Sequence, residues 1–469
     1  MMTKRRHRKV SAISAAISAI LLAFGFLAPA SAIAVEKSTF ETDDPRAFVV
    51  AREGQFFLFG KRFVMKGTNY LGSWRTPATM PQGTAGVEIV VPWSLWQNWN
   101  VTAINLDFAV LRSGLHATVL RIPLPSRSDF GVWFNPDGSV AERYAAELVQ
   151  LADLAARNNI RLELCLLWNV GKEIEQQRGA FEPGGAMDRF YQNQVRSIGR
   201  LLKRHPSVIA YSVGNEVLVR WQLNGTHNSW YEPFAADFML RRYNDLRVEA
   251  PRQLIATDEL VSGAMGTWHT PGADFARLPD VTGSNGGAAL VLADHVDYVG
   301  AHFYPETLTP QDVARDFDPM IADAVERLKR YMAAVAPRRK PVVFDEFGLL
   351  ISPLTIPPAQ FAGPRDQLMQ QVLAAGRAVG LQGLLAWSAL PRLPLRSVHI
   401  SSGTAVENSI PFETNIDARG VMHRVLFYDA YFNLFDLRGD DELVPTAGAR
   451  AIAEAWPEIP LPLPPEMRR

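Results

Sequence analysis

Val208-Ile209-Ala210-Tyr211-Ser212-Val213-Gly214-Asn215-Glu216 is a mostly apolar run that ends in an acid. A second run of the same form lies further along the chain, Pro341-Val342-Val343-Phe344-Asp345-Glu346-Phe347-Gly348. Both are short and rich in β-branched and aromatic residues. They read as strands covered on both faces, as in a parallel sheet. Each strand would carry a glutamate at its C-terminal end.

The pattern repeats outward from these two. Residues 63–70, 117–123, 160–168, 254–259, 296–304 and 381–388 read as further strands. Helices are expected over 95–114, 190–203, 234–248, 365–379 and 447–456. Two more helical faces run through Tyr144, Leu148, Leu151 and Ala155, and through Ile321, Val325, Leu328 and Met332. Eight strands mostly separated by helices imply an α/β chain folded as a (β/α)8 TIM barrel. A doubly wound sheet would usually carry a Gly-rich phosphate turn after its first strand, and Gly67-Thr68-Asn69-Tyr70 is not that turn. Residues 48–62 read as an N-terminal hairpin. The long connections, 71–92, 217–231, 260–295, 349–363 and 389–424, all follow strand C-termini. That rim is where barrel enzymes assemble their sites.

Composition narrows the function classes. Of 469 residues, 48% are hydrophobic and 20% charged, which suits a packed core. Lys+Arg and Asp+Glu both number 48, so no bulk positive field exists for a nucleic acid, and none is expected as a partner. Lys4, Arg5, Arg6, Arg8 and Lys9 precede an apolar run and then Ala30-Ser31-Ala32. This reads as a secretory signal peptide over residues 1–34, or as an uncleaved membrane anchor. Residues 35–469 would then form a single catalytic barrel domain with a Pro-rich tail, outside the cytoplasm, with no later transmembrane segment. The lone Cys165 sits in an apolar run and is expected to be a buried, inert thiol.

Two carboxyl groups at the C-terminal ends of two strands are what glycosidic bond cleavage needs, one as acid and one as nucleophile. The fuller pattern resembles the retaining glycoside hydrolases of family 5, the cellulase and mannanase family. The matching pieces are Phe63–Tyr70, the stretch from Gly114 to Pro123, His205-Pro206 through Glu216, Val299-Gly300-Ala301-His302-Phe303-Tyr304-Pro305, Lys340 through Gly348, and Gly383 to Trp387. The resemblance spans nearly the whole chain after the leader. It implies Glu216 as acid/base and Glu346 as nucleophile. It further implies substrate-binding roles for Asn215, Arg121, His302, Tyr304 and Trp387. Arg121 is expected to keep Glu346 ionised, Tyr304 to bond it, His302 to touch substrate, and Trp387 to floor the sugar.

Many family members carry a histidine near the end of the third strand, where this chain has Trp168 and Asn169. These two are expected to stack on a sugar and to bind a hydroxyl. Trp74, Trp93, Trp96, Trp221, Trp230 and Trp268 fall in or near rim loops and could extend an aromatic path or anchor those loops. Asp258 and Glu259 form a second acidic pair on the fifth strand, ranked below the first because the family pattern places no catalytic group there. Neither a metal nor another cofactor is expected, since the histidines are scattered and no His-Glu-x-x-His occurs. The expected reaction is hydrolysis of a β-linked polysaccharide or oligosaccharide, mannanase- or glucanase-like. A non-catalytic carbohydrate-binding barrel and a transglycosylase stay open.

Overall fold

In the computed structural model the apolar runs form one parallel sheet that closes on itself. The described residues are 38–73, 78–81, 87–91, 95–96, 99–125, 133–168, 170–218, 230–260, 292–304, 307–308, 318–348, 350–351, 358–389, 397–398, 412–416, 422–426, 434–438 and 442–456. The leader expected over residues 1–34 and the Pro-rich stretch after residue 456 lie outside them.

The barrel strands are β1 (Met65–Asn69), β2 (Val119–Pro123), β3 (Arg161–Leu167), β4 (Val208–Gly214), β5 (Leu254–Ala256), β6 (Val299–Phe303), β7 (Val342–Phe347) and β8 (Gly383–Ala386). Each pairs in parallel with the next except β5 with β6, and β8 pairs with β1. The fifth strand was expected to be continuous to Glu259. It breaks after β5 and resumes as Glu259–Leu260, which pairs with β6. A bridge from Ala256 to Tyr298 closes the gap. The break matters because it frees Asp258 from the ladder at the mouth of the barrel.

The surrounding helices are α1 (Val101–Gly114), α2 (Glu142–Arg157), α3 (Ala186–Leu202), α4 (Tyr231–Glu249), α5 (Asp318–Val335), α6 (Pro358–Ala378) and α7 (Ala447–Ala455). In α3, Met187, Tyr191, Val195, Ile198 and Leu202 are buried, the spacing of one apolar stripe facing a core. The helix expected from residue 95 starts at Val101 instead. Asn100 stops it, because its side chain accepts the Ala103 N–H as an N-cap.

The N-terminal hairpin is a three-stranded meander, Val50–Arg52, Gln55–Leu58 and Lys61–Phe63. It plugs the bottom of the barrel. Phe56, Leu58 and Phe63 pack with Met65, Val119, Ile209, Tyr298, Val343 and Leu385. Phe56 meets Tyr298 edge to face at 5.3 Å. The rim connections also carry structure of their own. Strands after β1 (Ala78–Pro81, Val87–Val91) join strands after β8 (Ser397–Val398, Phe412–Ile416, Met422–Leu426) in one five-stranded sheet. Adjacency of β1 and β8 at the barrel seam brings those two connections together.

Close approach explains two glycines. A Cβ on Gly67 of β1 would lie 1.8 Å from the Val119 carbonyl oxygen of β2. A Cβ on Gly300 of β6 would lie 2.0 Å from the Asp345 carboxylate. At Gly67 the obstacle is backbone and cannot step aside. Gly67→Ala is therefore expected to destabilise the fold by about 3 kcal/mol, the upper range for overpacking. An unchanged urea midpoint would show that β1 and β2 can separate freely.

Candidate active site

Strand parity aims Arg121 into the barrel from β2, two residues above Val119, which packs against the plug. Its side chain is fully buried. Nη1 donates to Asn69 Oδ1 and to Glu346 Oε1, each at 2.7 Å. Nη2 donates to Asn215 Oδ1 at 2.8 Å and Asp258 Oδ2 at 2.5 Å. A planar guanidinium is suited to holding four acceptors in fixed directions. Burial works against its charge, but Asp258 and Glu346 hold it firmly protonated.

Glu346 is placed by an irregularity. The pairing of β6 with β7 runs Ala301 to Phe344 and then His302 to Glu346, so Asp345 is the extra residue of a bulge. The bulge lets both Asp345 and Glu346 reach the barrel interior, the re-aiming that such bulges provide. Glu346 Oε1 accepts from Arg121, and Oε2 accepts from the Tyr304 hydroxyl at 2.7 Å. Arg121 was expected to dominate its ionisation. The contacts are made, but burial pushes the carboxyl above its ordinary value by more than His302 and Arg121 pull it down.

Glu216 follows the end of β4 with φ 48°, a left-handed conformation that costs a non-glycine residue about 1–2 kcal/mol. The Asp258 carbonyl holds it there by accepting the Glu216 N–H at 2.8 Å. Glu216 Oε1 lies 2.7 Å from His302 Nδ1. One oxygen from Glu216, one from Glu346 and a ring nitrogen of His302 all lie within 4.8 Å of one another. The two glutamate side chains keep 13% and 6% exposure, respectively. They are thus the charged groups of this cluster that open toward the mouth.

His302 and Arg121 keep no exposure. Sequence reasoning expected both to touch substrate; the structure instead puts them behind the carboxylates. Trp387 stacks with Trp168 at 5.7 Å and 15°, and the Arg121 guanidinium lies 5.4 Å from the Trp168 ring. Asn169 lies outside the described residues, as do Trp74, Trp93, Trp221 and Trp268. Trp96 is buried, and its indole donates to the Pro123 carbonyl at 3.0 Å, so it anchors its loop. Trp230 is half-buried under the Arg178 guanidinium.

The sequence ranking passed over Asp258. It binds Arg121 and His302 with its side chain and Glu216 with its carbonyl. Burial disfavours its charge, yet Arg121 and His302 outweigh burial and hold the carboxyl well below the usual range. Glu259 turns aside, accepting the Leu218 N–H at 3.1–3.2 Å. Asn69 was missed too. Its position two residues after the inward Gly67 was the available signal. Asp258, His302 and Asp345 also group ligand-type atoms within 4.8 Å. Arg121 already neutralises Asp258, and the His302 ring faces carboxylates on both nitrogens. Cys165 is buried, and burial pushes its thiol well up.

Beneath the site, the carboxylates of Glu163 and Asp345 are fully buried, with Arg121 Nε 3.8 Å from Glu163 and His302 Nε2 3.8 Å from Asp345. Burial pushes Glu163 up to about 7 against the pull of Arg121, and Asp345 is raised as well. Because the folded value of Glu163 is raised, its contribution to stability is fully present below about 4.5 and is lost as pH rises through about 7. The urea midpoint is expected to fall across that window. Glu163→Gln should flatten the fall, leaving the share due to the other raised carboxyls, Asp345, Glu259 and Glu346 among them. A variant with the wild-type slope would show that Glu163 titrates normally.

No protein-family model matches the sequence, and no curated protein matches it. Solved structures do. The exo-β-1,4-mannosidase Op5Man5 from Opitutaceae bacterium strain TAV5 superposes with a TM-score of 0.54 at 19% identity. The match covers 87% of this chain and 62% of that one, so this chain spans under two thirds of the mannosidase's length. The endo-1,4-β-mannanase from Rhizomucor miehei gives 0.49 at 16% identity, covering 73% of this chain and 90% of that one. The β-D-glucuronidase of Dictyoglomus thermophilum gives 0.49 at 16% identity, covering 88% and 54%. The likeness to the mannosidase agrees with the barrel fold.

Proposed function

We propose that the chain is a retaining β-glycoside hydrolase resembling family 5, acting on a β-linked polysaccharide or oligosaccharide of the mannan or glucan type. The reading rests on one observation: Glu216 and Glu346 bring carboxylate oxygens within 4.8 Å at the open end of the barrel. Retaining glycosidases hold their carboxyl groups about 5–5.5 Å apart, whereas inverting enzymes leave about 6.5–9.5 Å for a water.

In the first step a Glu346 oxygen bonds to the anomeric carbon, the glycosidic C–O bond breaks, and Glu216 gives its proton to the departing oxygen. In the second step Glu216 takes a proton from water, the water oxygen bonds to the anomeric carbon, and the ester to Glu346 breaks. Arg121 and Tyr304 hold one Glu346 oxygen each, which fixes the carboxylate plane for attack. Asn215 gives its side-chain oxygen to Arg121, which leaves its amide to donate to a sugar hydroxyl. Trp168, half-buried and stacked on the buried Trp387, supplies the apolar surface for the ring. The leader over residues 1–34 would export the enzyme to polymeric substrate. Among the described residues no helix is long and apolar enough to cross a membrane.

The test is hydrolysis of soluble mannan, glucan and xylan by the full chain, with the anomer of the first product followed by NMR. Release of the β-anomer is expected. Binding without cleavage would replace this reading with a carbohydrate-binding barrel, and the α-anomer would replace it with an inverting enzyme.

A further inference from the structure

We propose that Asp258 is a positioning residue that keeps both ring nitrogens of His302 protonated, so that Nδ1–H is donated to Glu216 Oε1 and the transferable proton of Glu216 is confined to Oε2. This deepens, and rests on, the proposed acid/base role of Glu216.

The geometry of the ring carries it. His302 Nε2 meets Asp258 Oδ1 in a short contact, with Asp345 Oδ1 at 3.8 Å. Nδ1 lies 2.7 Å from Glu216 Oε1 and 3.4 Å from Glu346 Oε2. Among the described residues, the charged groups that face the ring are therefore all carboxylates. They come from the break after β5, from the end of β4 and from β7. Arg121 stands behind Asp258, and the buried Glu163 and Glu259 add more distant acidic groups. A histidine with an acceptor on each nitrogen donates from both, which only the imidazolium can do. Burial draws the ring toward neutrality, but Glu346 and Asp258 outweigh burial and raise it well above its ordinary value.

The consequence for Glu216 follows from counting protons. With Nδ1–H pointing at Oε1, that oxygen is already an acceptor, and a proton on Glu216 must sit on Oε2. A neutral ring held by Asp258 would keep its hydrogen on Nε2 and present a bare Nδ1. The Glu216 proton would then move to Oε1 to fill that bond and be lost to the leaving group. In the two displacement steps the Oε2 proton goes to the departing oxygen and returns from water. His302 keeps both of its ring protons throughout.

The experiment has two arms. Nitrogen-15 NMR of histidine-labelled full chain, with His302 assigned by difference from His302→Gln, is expected to show both ring nitrogens protonated from pH about 6 to about 8. A single bare nitrogen overturns the proposal, and this arm needs no variant of Asp258 to fold and no activity. In the second arm Asp258→Asn is assayed on aryl glycosides of the sugar that the chain hydrolyses. Loss of acid catalysis is worth ~10²–10⁴-fold where the leaving group needs a proton. A fall of about 100-fold or more is expected on the phenyl glycoside, and of less than about 10-fold on the 2,4-dinitrophenyl glycoside. Equal falls on both would make Asp258 merely structural. A chain that cleaves no glycoside removes the proposed function, while the NMR arm still decides the state of the ring.

Discussion

Glu346→Gln is expected to lower kcat/KM by about 10⁴-fold on every substrate, including aryl glycosides with good leaving groups. The amide is nearly isosteric, so Arg121 and Tyr304 keep a partner, but it cannot form the glycosyl ester. Glu216→Gln should behave differently. It should cost about 10²–10⁴-fold on natural linkages and far less on substrates that depart without a proton. That contrast separates nucleophile from acid. Full activity in Glu346→Gln would end the assignment. The pH profile adds a sign. The nucleophile must be ionised, and burial raises Glu346, so activity is expected to fade with acidification at a pH above the ordinary glutamate value of about 4.3.

Arg121→Met should destabilise the chain by about 3–5 kcal/mol, the cost of leaving a buried ion pair without one partner. The guanidinium is the buried cation against which Glu346, Asp258 and the Asn69 and Asn215 oxygens are arranged. Without it the carboxylates must either take up protons or face one another unscreened. Arg121→Lys should recover only part of the loss, because an ammonium cannot present four donors in one plane. Urea denaturation at neutral pH measures both. A midpoint within experimental error of wild type would mean that water replaces the guanidinium and the cluster is far wetter than its burial indicates.

Reading residues in order was enough for the strands and for placing Glu216 and Glu346 at the C-terminal ends of two of them. The apolar runs around Ile209 and Val343 are hydrophobic on both parities, and only a sheet covered on both faces satisfies that pattern. The helix start at Val101 was missed because the apolar Leu95 and Trp96 precede it, although the capping signal of Asn100 was present. The five-stranded rim sheet was missed for another reason. It is built from segments more than 300 positions apart, and nothing local records that β1 and β8 are neighbours. Asp258 was undervalued because a strand pattern shows which residues alternate, and the break after β5 removes Asp258 from the alternation.

The sequence by itself determined the barrel and the two strands whose C-terminal ends lead to Glu216 and Glu346. These follow from periodicity and strand ends, which are local properties of the chain. Only the tertiary structure decided that His302 and Arg121 stand behind those acids, that a bulge turns Glu346 inward, and that Asp258 joins them. Each of these depends on register and on distance between residues remote in sequence. Charge interactions inside a closed barrel are set by those distances and by burial, and neither is written in the order of residues.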